Sequence, residues 1–186
     1  MSNPSSSVPA HKVRLLVLAD ADELTAYYIR NEAFHREWSP VPPTMFFLAE
    51  YQRERLRMAN HLRDEGREYR FGIFAEQPRG KVIGTISLSA VERGVFQNGR
   101  LGYSVDFECQ RQGIMTASLK EVMRFAFNDL NLHRLEANLM PRNIASRRVM
   151  EKCGFTKVGY SPRMVMINGV WEDHEMYMAL ADTFTG

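Results

Sequence analysis

The sequence has little cysteine, little histidine and almost no net charge. Its two cysteines, Cys109 and Cys153, form no paired spacing, so we expect reduced thiols rather than a disulfide framework or a zinc motif. The five histidines are scattered, which argues against a metal centre. A net charge of +2, with basic and acidic residues interspersed, gives no basic surface of the kind that nucleic-acid binders carry. Metal ions and nucleic acids are therefore not expected partners.

Long hydrophobic runs are also absent. Residues 1–10 are rich in Ser and Pro without an apolar stretch, so we expect no signal peptide, no membrane partner and a cytoplasmic location. The 45% hydrophobic and 25% charged residues that the chain does contain are typical of a folded globular protein. A length of 186 residues suits one domain, which we place at 12–186 after a flexible tail at 1–11.

The spacing of apolar residues predicts a mixed sheet flanked by helices, an α/β (α+β) fold. The predicted strands are 12–18, 69–75, 81–91, 101–107, 135–139 and two runs on either side of the Asn168-Gly169 turn. The predicted helices are 21–31, 44–64, 115–130 and 143–154. Because strand 101–107, helix 115–130 and strand 135–139 follow in this order, we expect those two strands to be parallel within a mostly antiparallel sheet.

The turn between strand 101–107 and the next helix is suited to binding an anion. It reads Gln110-Arg111-Gln112-Gly113-Ile114-Met115. Backbone N–H groups at a helix start have no intrahelical acceptor, and Gly113 lets a ligand approach the backbone without meeting a Cβ. A tight turn before a capped helix would look the same, and the glycine spacing of nucleotide-binding loops is missing, so this segment alone does not decide the function.

This turn resembles the signature of the GNAT N-acetyltransferases, Gln/Arg-x-x-Gly-x-Gly/Ala. Gln110 and Gly113 match it, and Met115 departs from it in a way that the RimJ/RimL branch commonly tolerates. That branch contains the ribosomal-protein N-terminal acetyltransferases. Further segments of the chain resemble it, in the same order: Asn31, Phe34, Trp38 and Pro40, then Arg93-Gly94, 101–104, 132–134, 141–146, Gly154-Phe155 and 168–174. Several motifs in one order are more specific than any one of them.

The resemblance implies the GNAT acyl-CoA N-acyltransferase fold, with acetyl-CoA as co-substrate in a cleft where the central parallel strands splay apart. Pantetheine would pair with the strand backbone, the pyrophosphate would bind the loop amides, and one Asn would contact the pantetheine arm from the last helix. The implied cofactor-binding residues are Tyr103, Ser104, Val105, Arg111, Gln112, Gly113, Ile114, Met115, Thr116 and Asn143. We add Arg148, whose place on the same helix would let it meet the phosphates of the cofactor. The alternatives are a plain helix N-cap for Asn143 and a solvated charge for Arg148.

The family reaction is the direct attack of a neutral amine on a thioester, which needs a base for the amine and an acid for the leaving thiol. Many members place a Tyr acid at the position that is Met150 here. In RimL-like enzymes a Ser is placed at the leaving sulfur, and Ser146 matches it. An ordinary serine in the first helical turn is an equally good interpretation of Ser146.

For the base we select Glu136, whose side chain is expected on the same face of its strand as Arg134. The alternative is a carboxylate paired with that arginine. Glu92 and Asp173 are rival candidates.

The acceptor is expected to be a protein N-terminus such as that of a ribosomal protein. An α-amino group with a pKa of about 8 is about one-fifth neutral near pH 7.4, whereas a lysine amine is about one-thousandth neutral. The alternatives are a polyamine, an antibiotic or another small amine, or an acyl-CoA-binding module without activity. By resemblance, the acceptor side would be lined by Phe34, Trp38, Phe46 and Phe47. The resemblance also implies a homodimer, since dimers are common in this branch.

Overall fold

The computed structural model of the protein describes residues 8–78 and 80–186. Within these ranges the chain forms one seven-stranded sheet, in the order β1-β2-β3-β4-β5-β7-β6, with helices on both faces. The strands are β1 (His11–Leu15), β2 (Tyr69–Ala75), β3 (Val82–Glu92), β4 (Asn98–Val105), β5 (Arg134–Leu139), β6 (Thr156–Ile167) and β7 (Val170–Leu180). The helices are α1 (Ala21–His35), α2 (Ala49–Asp64), α3 (Ile114–Arg124) and α4 (Ile144–Lys152).

The parallel pair β4 and β5 lies at the centre of the sheet, and it separates into a cleft. Its register joins Asn98–Arg100 to Arg134–Glu136 and ends there. Beyond that point β4 stays paired with β3 as far as Val105, and β5 stays paired with β7 as far as Leu139. The backbone of each strand then has a neighbour on one side and the cleft on the other. This confirms the predicted mixed sheet with a splayed parallel pair.

Two hydrophobic clusters hold the helices on the sheet. The larger one packs α3 against the central strands through Ile114, Leu119 and Val122, which are at most 2% exposed. The smaller one packs α1 and α2 against the other face of β2 and β3 and includes Tyr27 and Leu56. Burial of each such side chain contributes about 1.5–3 kcal/mol. The buried residues of α3 recur every three to four positions, which agrees with the predicted amphipathic helix.

Several element ends differ from the prediction because a side chain replaces a backbone bond. The predicted strand 101–107 ends at Val105, since the carboxylate of Asp106 accepts from the amide of Glu108 and starts a 3₁₀ turn, Phe107–Cys109. Phe107, the last residue of the predicted strand, accordingly lies outside the sheet, and its side chain is 45% exposed.

The predicted strand 12–18 ends at Leu15. The carboxylate of Asp20 accepts from the amide of Val17 at 2.8 Å and holds a 3₁₀ turn, Leu18–Asp20, before α1. The predicted helix 44–64 is divided by extended Leu48 into a 3₁₀ turn and α2. The first predicted helix continues to His35, and the third changes to a π turn at Phe125–Asp129.

The closing hairpin follows the prediction at its turn. Asn168 and Gly169 have φ values of 48° and 80°, the left-handed pair that a type I′ turn requires. The side-chain amide of Asn168 also donates to the carbonyl of Arg36 at 2.6 Å, which ties the hairpin tip to the end of α1. The loop after α1 is thus held next to β6 and β7.

The predicted tail 1–11 lies partly outside the described residues. His11 already belongs to β1, and the carbonyl of Ala10 accepts from the amide of Glu76 at 3.4 Å. Arg79, in the predicted turn between β2 and β3, is also outside the described residues. Through 8–78 and 80–186, no helix is both long and apolar enough to cross a bilayer.

Candidate active site

The first turn of α3 presents free backbone N–H groups beside the open end of the cleft. Gly113 is the N-cap with φ 80°, and the first intrahelical bond runs from the Ala117 amide to the Gly113 carbonyl at 3.0 Å. The amides of residues 114–116 precede that bond, so they have no intrahelical acceptor, and the positive end of the helix dipole lies with them. No acidic residue stands in this turn. This arrangement is suited to binding an anion.

The loop before α3 contains one strained residue and is held in shape by hydrogen bonds from its own side chains. Arg111 has φ 61°, a left-handed conformation that is costly for a residue with a Cβ. The side-chain amides of Gln110 and Gln112 donate to the carbonyls of Phe107 and Glu108, at 3.1 and 2.8 Å. These two glutamines therefore shape the loop. The sequence pattern does not reveal the strained position of Arg111.

A buried carboxylate fastens this loop to α1. Asp106 is fully buried and accepts from Arg30 Nε at 2.6 Å, from Asn31 Nδ2 at 3.2 Å and from the Glu108 amide at 3.1 Å. The Asn31 side-chain carbonyl accepts in turn from the Phe107 amide at 2.9 Å. Burial alone would raise the pKa of Asp106, but these hydrogen bonds hold the pKa below its ordinary value. The sequence analysis did not identify Arg30 and Asp106, and it named Asn31 only as part of the family resemblance.

The β4 wall of the cleft exposes alternate backbone groups. The amide of Asp106 donates to the carbonyl of Ile83 at 2.8 Å, and ladder bonds in an antiparallel pair alternate. The backbone groups of Ser104 therefore face β3, while those of Tyr103 and Val105 face the cleft. The Ser104 hydroxyl is bonded to the Tyr27 hydroxyl at 2.8 Å. Of the three predicted backbone contacts for pantetheine, the fold thus favours Tyr103 and Val105 and turns Ser104 away.

One of these backbone groups already has a partner. The carbonyl of Val105 accepts from Nε2 of His35 at 2.9 Å, so the imidazole carries its hydrogen on that nitrogen. Burial lowers the pKa of His35, and the bond to Val105 and the charge of Asp106 offset that effect in part. The neutral imidazole is the form that the fold prefers.

Acidification is expected to destabilise the protein through His35. Because its folded pKa lies below the unfolded value of about 6.5, the unfolded chain binds the extra proton, and stability falls as pH drops through that value. His35→Gln keeps a donor and removes the titration. We expect the variant to lose less free energy of unfolding than wild type between pH 7.5 and 5.5 in urea titrations. Equal losses in both proteins would contradict this assignment.

The α4 wall of the cleft carries Asn143 and Ser146. The Asn143 side-chain oxygen accepts from the Ser146 amide at 3.0 Å, so Asn143 is the N-cap that the sequence allowed, and its contact with pantetheine stays a prediction. The Ser146 hydroxyl lies 2.5 Å from the Tyr103 hydroxyl, a contact from one wall of the cleft to the other. Met150 is completely buried, and Arg148 is exposed on α4.

Each of the three candidate bases accepts a hydrogen bond from a neighbouring group. Glu136 stands at the last residue pair of the parallel register and accepts from Arg134 Nε at 2.7 Å. Asp173 accepts from the Tyr160 hydroxyl and from the Arg163 amide, and Glu92 accepts from Asn98 at the closed end of the cleft. The role of Glu136 as a base stays a prediction. Its alternative, an ion pair with Arg134, is present in the structure.

The loop after α1 contacts the segment that leads into α4. Arg142 forms two bonds with the Glu172 carboxylate, at 2.7 and 2.9 Å, and its guanidinium lies 5.7 Å from the Trp38 ring centre. Trp38 therefore lies beside the segment that leads into α4, and its place in the lining of the acceptor side stays a prediction. Phe46 instead packs on Tyr28, with ring centres 4.7 Å apart, and belongs to the contact between α1 and α2. Among residues 8–78 and 80–186, no cluster of His, Cys, Asp and Glu could hold a metal ion.

Comparisons with known proteins agree with this geometry. Residues 12–156 match the family model described as an acetyltransferase (GNAT) domain. The chain is 39% identical to the probable N-acetyltransferase YjcK of Bacillus subtilis, covering 90% of this chain and 92% of that one. It is 34% identical to the [ribosomal protein uS5]-alanine N-acetyltransferase of Escherichia coli, covering 87% and 83%.

A solved structure shows the same likeness. The ribosomal-protein-S5-alanine acetyltransferase of Vibrio fischeri superimposes with a TM-score of 0.90 at 33% identity, covering 95% of this chain and 96% of that one. The family model, the sequence relatives and the fold therefore support the same assignment. The cleft and the free amides at the start of α3 agree with it. The chain belongs to the GNAT family and is an N-acetyltransferase of the RimJ/RimL-like type.

Proposed function

We propose that the protein transfers the acetyl group of acetyl-CoA to the α-amine of a protein N-terminus, with a ribosomal protein as the acceptor class. The observation that carries the choice of acceptor is the state of the candidate bases: Glu136, Asp173 and Glu92 each accept a hydrogen bond within the described residues. An α-amine is already about one-fifth neutral near pH 7.4 and needs little help from a base, unlike a lysine amine. The relatives named as ribosomal-protein acetyltransferases support the same class.

The residues of the cleft fit acetyl-CoA. The free amides of residues 114–116 suit its pyrophosphate, the backbone of Tyr103 and Val105 suits the amide groups of pantetheine, and Arg148 is available to a phosphate. The thioester supplies an activated acetyl group. Asn143 orients the first turn of α4, and through it Ser146, whose hydroxyl can donate a hydrogen bond to the leaving sulfur. The proton of the amine passes to water or to Glu136.

An acceptor panel tests this proposal. Purified protein is incubated with acetyl-CoA and with peptides that have free Ala, Ser or Thr N-termini, next to N-terminally blocked lysine peptides and spermidine. We expect kcat/KM for the free N-termini to exceed that for lysine by at least about 100-fold near pH 7.4, following the neutral fractions. Release of free thiol gives the rate, and mass spectrometry of the product locates the acetyl group.

Other outcomes of the panel separate the alternatives. Thiol release with spermidine alone would make the protein a small-amine acetyltransferase. Binding of acetyl-CoA without thiol release from any acceptor would favour an acyl-CoA-binding module. A cytoplasmic location agrees with a ribosomal-protein acceptor, and a homodimer, for which sedimentation velocity is the direct measurement, stays a prediction.

A further inference from the structure

Two hydroxyl groups meet across the cleft. Tyr103 projects from β4 past the last residue pair of the parallel register, and Ser146 projects from the first turn of α4. Their oxygens are 2.5 Å apart, and the Tyr103 oxygen also lies 3.3 Å from the Ser146 carbonyl. We propose that Tyr103 is a positioning residue that holds the Ser146 hydroxyl so that its hydrogen is directed to the acyl-donor sulfur. This inference rests on the proposed function.

The chemistry of the two groups sets the direction of their hydrogen bond. A phenol is a stronger acid than an aliphatic alcohol, so it is the better donor of the two. The Ser146 carbonyl stands in α4, where the helix provides it with an amide donor four residues on. Tyr103 therefore donates its hydrogen bond to Ser146 Oγ, across the 2.5 Å contact. The hydrogen of Ser146 is then left for another acceptor in the cleft.

Tyr103 supplies a hydroxyl that α4 lacks at position 150. Met150 has no hydroxyl, and its side chain is completely buried in the core. Tyr103 brings a phenol to the cleft from the opposite wall instead. Burial raises the pKa of Tyr103, which keeps the phenol protonated and therefore a donor. No proton leaves Tyr103: as the carbon–sulfur bond breaks, the electron pair goes to sulfur, and Ser146 donates a hydrogen bond to it.

A double-mutant cycle tests whether Tyr103 acts through Ser146. We expect Tyr103→Phe to lower kcat by about fivefold, which is the value of one neutral hydrogen bond, and to leave KM for acetyl-CoA within about twofold. In the Ser146→Ala background the same substitution is expected to have no further effect. Tyr69→Phe is the matched control. Tyr69 lies on β2, is 8% exposed and packs its ring against Phe125, so kcat of the Tyr69→Phe variant should be unchanged.

A structural readout accompanies the kinetics. Crystal structures of wild type and Tyr103→Phe are expected to show one Ser146 rotamer in the first and several in the second, while calorimetry gives the same dissociation constant for coenzyme A. A fivefold loss that persists without Ser146, an unchanged or higher kcat, or a single Ser146 rotamer in both proteins would overturn the inference. Because the rotamers are read without an acceptor, failure of the proposed function and failure of this inference are distinguishable.

Discussion

Asp106→Asn is expected to lower the free energy of unfolding by about 3 kcal/mol. The substitution keeps the volume of the side chain but removes its charge. Asp106 is fully buried, whereas Arg30 keeps 23% of its side chain exposed. The variant leaves that guanidinium without its carboxylate, and it weakens the bonds from Asn31 and from the Glu108 amide. Urea unfolding followed by far-ultraviolet circular dichroism measures the loss.

A matched substitution separates burial from charge. Asp22 also pairs with an arginine, Arg53, at 2.7 Å, but its side chain is 72% exposed. Asp22→Asn is therefore expected to cost less than about 1 kcal/mol. Equal losses for the two variants would contradict the role of Asp106 as a buried fastening of the loop.

The pH dependence of Asp106→Asn follows from the same contacts. The folded pKa of Asp106 is lowered, so its contribution to stability is present above the unfolded value of about 3.9 and is lost as pH falls through the folded value. The difference in stability between wild type and Asp106→Asn should accordingly shrink as pH falls below about 4.

The features that sequence reasoning predicted correctly depend on neighbours in the chain. The cap at Asn143 and the turn at Asn168-Gly169 follow from residue types that favour those local conformations. The buried face of α3 follows from its apolar spacing. The existence and order of the central elements could therefore be predicted. The ends of these elements could not be predicted, because side chains such as Asp20 and Asp106 accept hydrogen bonds from backbone amides there.

The features that sequence reasoning missed join residues that are distant in the chain. Asp106 meets Arg30 and Asn31 across the gap between α1 and β4, and Tyr103 meets Ser146 across the cleft. No local pattern encodes such a pair, since it exists only once the sheet has formed. Tyr103 was predicted as a backbone contact for the cofactor, and the structure adds a second use for its side chain.

Gly113→Ala is expected to weaken coenzyme A binding by about 10- to 100-fold. The substitution places a Cβ beside the free amides of the α3 N-terminus, where a ligand phosphate would have to come into contact with the backbone. Loss of one charge-assisted hydrogen bond costs about 1.5–3 kcal/mol, and every 1.4 kcal/mol is about tenfold in affinity. Isothermal titration calorimetry with coenzyme A measures the effect without any acceptor amine.

Gly154→Ala is the matched control, because it separates the effect of backbone strain from the effect on coenzyme A binding. Gly154 has φ 81° and Gly113 has φ 80°, so an alanine at either position incurs a similar strain of about 1–2 kcal/mol. A Cβ at Gly154 meets no atom within 4 Å, whereas at Gly113 it meets only the movable end of the Val8 side chain, at 3.1 Å. Both variants should therefore lose similar stability, and only Gly113→Ala should lose affinity. If both bind coenzyme A as wild type does, the phosphates do not contact this loop, and the anion site assigned to it is wrong.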